Sequence, residues 1–106
     1  WGRKHAGLHC VITASDIRGE NCFGVIPPLA DQPALAETHV RFSGEPVALV
    51  VGDPATIDAM DLSDFPVHWT PMPYSLTQSE GMAQGAPQVH PHRPDNTLIR
   101  SGGGLA

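Results

Sequence analysis

One segment, residues 40–54, constrains the fold more than any other part of the sequence. Residues 40–43 have an extended character, and Gly44-Glu45-Pro46 has the composition of a turn. The apolar, valine-rich run 46–52 is too short for a helix, and it lacks the polar alternation of a strand with one exposed face. We therefore predict two paired strands, 39–43 and 46–52, with the second strand in the middle of the fold and covered on both faces.

A helix is predicted immediately after this strand. Asp53 is a good N-cap residue, and Pro54 is the residue best suited to the first helical position. We expect the helix to run from Pro54 to about Leu62, with its acidic residues facing solvent. Asp58 and Asp61 lie in this predicted helix, and Asp64 follows it. We interpret them as a solvated surface rather than a catalytic cluster.

The segment upstream predicts a strand, a helical turn and a loop. Residues 8–12 form an apolar run typical of a strand, and Thr13 with Asp16 resembles a capping box that starts one helical turn. Residues 19–33 contain Gly24 and three prolines, which predicts a long irregular loop. Because long loops in compact domains are often functional, we predict that this loop is the candidate functional segment.

The downstream half is punctuated by proline and glycine. It predicts a strand at 65–70, a short helix at 76–83 and a last strand at 97–100. Residues 101–106 include three consecutive glycines, so we expect a flexible exit there. At 106 residues, the whole chain is predicted to be one domain, 1–106.

Composition excludes some classes of partner. The formal net charge of −5 argues against nucleic acid or an anionic membrane as a partner. No apolar run reaches membrane-spanning length. Cys10 lies in an apolar strand-like run and is predicted to be buried, whereas Cys22 lies in the loop. We expect two free thiols and a cytoplasmic location, the default for a chain without a disulfide framework.

Few residues have a spacing typical of catalytic or metal sites. His90-Pro91-His92 is a close histidine pair, but no third ligand lies at a recognisable spacing, so we predict no metal site. The Ser101-Gly102-Gly103-Gly104 run lacks the lysine of a phosphate-binding loop, and the sequence contains no nucleophile elbow. We predict no catalytic or cofactor-binding residue.

The sequence motifs of this chain resemble those of one protein family. V-R-F-S-G-E-P-V-A-L-V-V from Val40, with Asp53-Pro54-Ala55 following, is similar to the α/β hammerhead domain of the xanthine dehydrogenase and aldehyde oxidase family. The resemblance continues in G-L-H-C-V-I-T-A-S-D-I from Gly7, D-Q-P-A-L-A from Asp31 and His90-Pro91 with Asn96. Trp69-Thr70 departs from the family's aromatic-acid pair. The resemblance implies an α+β fold of the hammerhead type, a small mixed sheet with one main helix.

This resemblance also implies a function. The parent enzyme would be an oxidoreductase that hydroxylates a heterocycle or an aldehyde at a molybdenum-molybdopterin centre. FAD and iron-sulfur clusters would lie in partner domains or subunits. The chain would be an inactive fragment of the molybdopterin-binding subunit, and it would brace the catalytic domains of the same parent chain. Ile26, Pro28 and Leu29 occupy the position where the family's loop helps to line the substrate funnel.

Two other interpretations remain open. An autonomous binding or carrier-like module without enzymatic activity is one, because hammerhead folds share a motif with domains that carry biotin or lipoate. Such a carrier needs a lysine at a hairpin tip, and Lys4 is the only lysine. The other is a small metal-binding protein that uses His90 and His92.

Overall fold

The computed structural model describes residues 1–102. Contacts within the chain divide it into two compact units, Trp1–His68 and Trp69–Ala106. The predicted flexible exit lies mostly outside the described residues, since only 101 and 102 of it are described. Within the described residues, no helix combines the length and the apolar character needed to cross a membrane.

The first unit is built on a two-stranded antiparallel sheet. Strand β1 is Leu8–Thr13 and strand β2 is Ala48–Gly52. Cys10 pairs with Val51, and Ile12 pairs with Leu49. The strand predicted at 8–12 is confirmed, and so is most of the one predicted at 46–52. With short helices around this sheet, the described residues have a small α+β structure.

The predicted pairing of 39–43 with 46–52 is wrong. Residues 39–43 form no strand, and β2 pairs with β1 instead. The cause is local: the Glu45 carboxylate accepts a hydrogen bond from the Arg41 backbone N–H at 2.5 Å, and the Glu45 N–H donates to the Phe42 carbonyl at 3.3 Å. A side chain that bonds nearby backbone in this way competes with a strand ladder. Glu45 is itself buried, with 7% of its surface exposed.

The expectation that β2 is covered on both faces is also wrong. Its residues alternate in burial, and Leu49 and Val51 are exposed. Their partners on the same face are Ile12, which is half-buried, and Cys10, which is exposed. The predicted burial of Cys10 is therefore wrong as well. Both cysteines are free thiols, as predicted.

Helix α1, Pro54–Asp58, begins where predicted but ends about one turn early. Asp53 is the N-cap residue, yet its side chain makes no capping hydrogen bond and instead lies 3.1 Å from His9 Nε2. Beyond the helix, Asp61 accepts hydrogen bonds from the backbone N–H and the hydroxyl of Ser63 at 2.9 Å. This local turn replaces the helical hydrogen bonds that the longer helix would need.

The remaining elements of the first unit are 3₁₀ turns. They are Gly2–Lys4, Ala14–Asp16 and Pro27–Leu29. The predicted capping box is confirmed, since the Asp16 carboxylate accepts from the Thr13 N–H at 2.8 Å. Residues 65–70 form no strand, which makes that prediction wrong; the Val67 N–H instead donates to the Phe65 carbonyl at 2.7 Å.

The second unit contains one short α-helix and one 3₁₀ turn within its described residues. Helix α2 is Gln78–Met82, inside the predicted range 76–83, and Thr77 with Glu80 forms a reciprocal capping box at its start. The 3₁₀ turn is Pro94–Asn96. The strand predicted at 97–100 is wrong, because those residues lack strand pairing.

Candidate functional site

The loop 19–33 is anchored by a single asparagine. The Asn21 side-chain amide donates to the Leu35 carbonyl at 2.8 Å, and its oxygen accepts from the backbone N–H groups of Ala34 and Leu35 at 2.9 and 3.2 Å. Leu35 is buried, with 3% of its surface exposed. One side chain therefore joins the start of the loop to the buried residue that follows its end.

Within the loop, the backbone folds back on itself. Phe23 and Gln32 form an isolated antiparallel bridge, with N–H to carbonyl distances of 2.8 and 3.4 Å. The Cys22 thiol donates to the Ala30 carbonyl at 2.6 Å. Gly24 lies so close to Ala30 that a Cβ on Gly24 would be 2.7 Å from the Ala30 Cα. The loop has a defined conformation, because three different contacts join its two sides.

This folded loop presents apolar side chains to solvent. The exposed fractions are 52% for Phe23, 100% for Val25 and 56% for Ile26. We call these three residues the loop tip. Ile26 is the N-cap of the 3₁₀ turn that contains Pro28 and Leu29. Among the residues assigned to the substrate funnel by resemblance, Ile26 and Pro28 are exposed and Leu29 is half-buried.

Sequence reasoning did not single out Phe23 and Val25. The sequence did contain a pattern that points to them, because Phe23 to Ile26 is an apolar run inside a loop rich in glycine and proline. An isolated apolar side chain on a surface needs no explanation, but a cluster of them marks a candidate binding surface. The loop tip is therefore the candidate functional site of the first unit.

We expect Gly24→Ala to open this loop. The added methyl group meets backbone atoms of Ala30, which cannot move aside as a flexible side chain would. The hydrogen bond from Cys22 to Ala30 should break, and the reaction of Cys22 with a thiol reagent should accelerate about threefold or more as the local structure opens. The measurement uses a Cys10→Ser background, because Cys10 is exposed. Gly19→Ala is the matched control, since nothing lies within 4 Å of that Cβ, and equal rates in both variants would contradict the expectation.

The aspartates around the end of α1 form a solvated surface, as predicted. Asp58, Asp61 and Asp64 are all exposed. The backbone N–H and then the hydroxyl of Ser63 lower the pKa of Asp61 from its ordinary value by bonding the charged form. Asp64 accepts a hydrogen bond from the Trp1 indole N–H at 3.0 Å. These contacts stabilise local turns around charged carboxylates.

In the second unit, Glu80 belongs to the helix cap. The backbone N–H groups of Leu76 and Thr77 donate to its carboxylate at 2.8 and 3.1 Å, and they lower its pKa. His90 and His92 lie in the turn that precedes the Pro94–Asn96 segment, with His90 half-buried and His92 exposed. The turn brings their rings together, with the centroids 5.5 Å apart.

Two open surface depressions test whether the chain suits the anionic cofactor that the resemblance places in the parent enzyme. The depression in the first unit is lined by Lys4 but also by Asp61 and Asp64. The depression in the second unit is lined by Arg100 and by Asp95. Carboxylates in both walls repel a phosphate group. Neither set of side chains fits molybdopterin.

Two distant relatives are among the known proteins that the chain matches. The chain is 29% identical over 87 residues to a probable xanthine dehydrogenase subunit of Bacillus subtilis (strain 168), a match that covers 82% of this chain and 11% of that protein. It is 34% identical over 103 residues to the nicotine 6-hydroxylase large subunit of Paenarthrobacter nicotinovorans, covering 89% of this chain and 12% of that protein. No family model matches the sequence, and no solved structure matches it.

These similarities support the predicted family in part. Both relatives are named as oxidoreductase subunits, and the chain spans only about an eighth or less of the length of either. The matches cover most of this chain, so they are not confined to one motif. The chain is similar to part of each of two oxidoreductase subunits, and the similarity favours a relationship to the molybdenum hydroxylase family.

Proposed function

We propose that this chain is a non-catalytic hammerhead domain of a molybdenum-dependent hydroxylase similar to xanthine dehydrogenase and aldehyde oxidase. The domain braces the catalytic domains and helps to form the entrance through which substrate reaches them. Two distant relatives support the proposal, since a xanthine dehydrogenase subunit and a nicotine 6-hydroxylase subunit both match most of the chain. The exposed loop tip is the structural observation that carries it.

The loop tip suits the wall of a substrate channel. Its three apolar side chains are exposed, and the loop beneath them is fixed by the Phe23–Gln32 bridge and by Asn21. A fixed apolar wall binds a planar aromatic or aldehyde substrate without the entropic cost of ordering a mobile loop. We assign Ile26 of the loop tip to this wall together with Pro28 and Leu29, which lie in the 3₁₀ turn that follows it and which the family resemblance places at the substrate funnel.

A second apolar surface suits packing against another domain. Cys10 and Val51 are paired on one face of the sheet, beside Ile12 and Leu49, and three of these four residues are exposed. A two-stranded sheet is marginal by itself and is stabilised when a third element covers its apolar face. We assign this face to the contact with the catalytic domains of the parent chain.

Chemistry in the proposed enzyme belongs to groups outside this chain. A molybdenum-molybdopterin centre held by other domains would supply the hydroxylation chemistry, and FAD and iron-sulfur domains or subunits would accept the electrons. This chain's own contribution is to position the catalytic domains and to guide the substrate toward them. We place the enzyme in the cytoplasm, where free thiols such as Cys10 and Cys22 persist.

Purification of the native protein tests the proposal directly. Antibodies against this chain should isolate a polypeptide that holds molybdenum, measured by elemental mass spectrometry, and that hydroxylates aromatic heterocycles or aldehydes. A native protein that contains this chain but neither molybdenum nor hydroxylase activity would overturn the proposal. In that case the autonomous binding module would become the better interpretation.

A substitution in that enzyme tests the role of the loop tip. Ile26→Asp places a charge on the proposed wall, so we expect the KM for an apolar aromatic substrate to rise about fivefold while kcat changes little, the effect of losing roughly 1 kcal/mol of uniform binding. Leu62→Asp is the matched control, because Leu62 is 55% exposed and Ile26 is 56% exposed. Equal KM values for the two variants would contradict the assignment.

A further inference from the structure

The turn at His90-Pro91-His92 holds two imidazoles side by side. Their ring centroids lie 5.5 Å apart with an interplanar angle of 66°, and one ring nitrogen of each lies within 4.8 Å of the other. Two nitrogens bound to one transition-metal ion at about 2.0–2.1 Å are at most about 4.2 Å apart. The two nitrogens therefore need to approach each other by no more than about 0.6 Å, the difference between 4.8 and 4.2 Å.

This pair stands on a turn that the surrounding residues hold in place. The Arg93 N–H donates to the His90 carbonyl at 3.0 Å and closes the turn. The Gln88 side chain donates to the Arg93 carbonyl at 3.1 Å, and the Val89 N–H donates to the Asn96 side chain at 2.8 Å. Pro91 fixes one backbone angle between the two histidines. The backbone beneath both rings is therefore organised before any ligand arrives.

We propose that His90 and His92 together bind a divalent first-row transition-metal ion, with Cu²⁺ bound more tightly than Zn²⁺. Neutral imidazole is a good ligand for both ions, and the natural order of affinities places Cu²⁺ first. One nitrogen of each ring binds the ion, and water molecules complete its coordination. Arg93 is the neighbouring cation, and one of its guanidinium N–H groups donates to the Leu98 carbonyl at 3.3 Å.

The sequence alone argued against this site, because it offers no third ligand at a recognisable spacing. The structure adds an observation that spacing could not supply, the contact between the two rings on a held turn. The proposal does not depend on the function proposed above, since it concerns only residues of the second unit.

Titration of the whole chain with Cu²⁺ tests the site. Nuclear magnetic resonance of the imidazole protons should show paramagnetic broadening of His90 and His92 before that of the other histidines, at up to one equivalent of the ion. His90→Asn and His92→Asn should each raise the Kd for Cu²⁺ by about tenfold or more, as expected when a metal site loses an imidazole. His68→Asn is the matched control and should leave the Kd unchanged, because His68 lies in the first unit.

The proposal would be overturned by uniform broadening of all the histidines, by an equal loss of affinity in His68→Asn, or by no binding at one equivalent. Repeating the titration with Zn²⁺ checks the order of affinities, and a tighter Zn²⁺ complex would contradict the proposed ligand set. Circular dichroism of each variant establishes that the chain is still folded, so that a lost site is distinguished from a lost fold.

Discussion

Leu35→Ala is expected to lower the free energy of unfolding by about 3 kcal/mol, the usual cost of truncating a buried leucine. Leu35 is the buried apolar side chain of the described residues, with 3% of its surface exposed. Its backbone carbonyl and N–H are both bonded to Asn21, which limits how far the site can collapse around the missing atoms. A domain of this size has only about 5–15 kcal/mol of stability in total, so the loss is a large fraction.

Urea denaturation followed by circular dichroism measures this effect. Leu62→Ala removes the same atoms from a side chain that is 55% exposed, and we expect it to cost about 0.5 kcal/mol or less. Similar midpoints for the two variants would show that Leu35 is not the centre of the core. A fall in midpoint for Leu35→Ala alone would support the position of the core beside the loop.

Local features were predictable from the sequence. The capping box at Thr13 and Asp16 needs only residues three positions apart, and the structure confirms it. The start of α1 followed from Asp53 and Pro54 for the same reason. Strand β1 was predictable because its apolar run is bounded by a glycine and by a cap. Each of these depends on neighbours in sequence, which the sequence shows directly.

Long-range pairing was not predictable in the same way. Residues 39–43 and 46–52 are separated in sequence only by a short turn, and this proximity favoured a hairpin. The side chain of Glu45 instead bonds the backbone of Arg41, and β2 pairs with a strand almost 40 residues upstream. The burial of β2 depended on that partner, so the incorrect pairing also produced the incorrect expectation for Leu49 and Val51.

The candidate site was predictable only in outline. Glycine and proline defined the bounds of the loop, but the exposure of Phe23 and Val25 depends on the path of its backbone. That path is set by the close approach of Gly24 to Ala30 and by the three hydrogen bonds of Asn21. The contact between His90 and His92 likewise depends on the turn, which spacing does not reveal.

Asn96→Ala is expected to destabilise the second unit by about 3 kcal/mol, from the loss of three hydrogen bonds and from a backbone angle that alanine disfavours. The Asn96 amide donates to the carbonyls of Gly81 and Pro87 at 2.9 Å, and its oxygen accepts from the Val89 N–H at 2.8 Å. Its φ is +52°, in the left-handed region. Amide hydrogen exchange in α2 should accelerate, because Gly81 belongs to that helix.

Two further variants separate these causes. Asp95→Ala changes a neighbour with a φ of +57°, so it tests the backbone cost of about 1 kcal/mol alone. Asn96→Gly keeps the left-handed conformation accessible and removes only the hydrogen bonds, so it should fall between Asp95→Ala and Asn96→Ala. Equal exchange rates for Asn96→Gly and the unsubstituted chain would mean that the three hydrogen bonds contribute nothing to stability. An exchange rate for Asn96→Gly between those of Asp95→Ala and Asn96→Ala would instead show that the Asn96 side chain holds together the three backbone segments on which the His90–His92 turn depends.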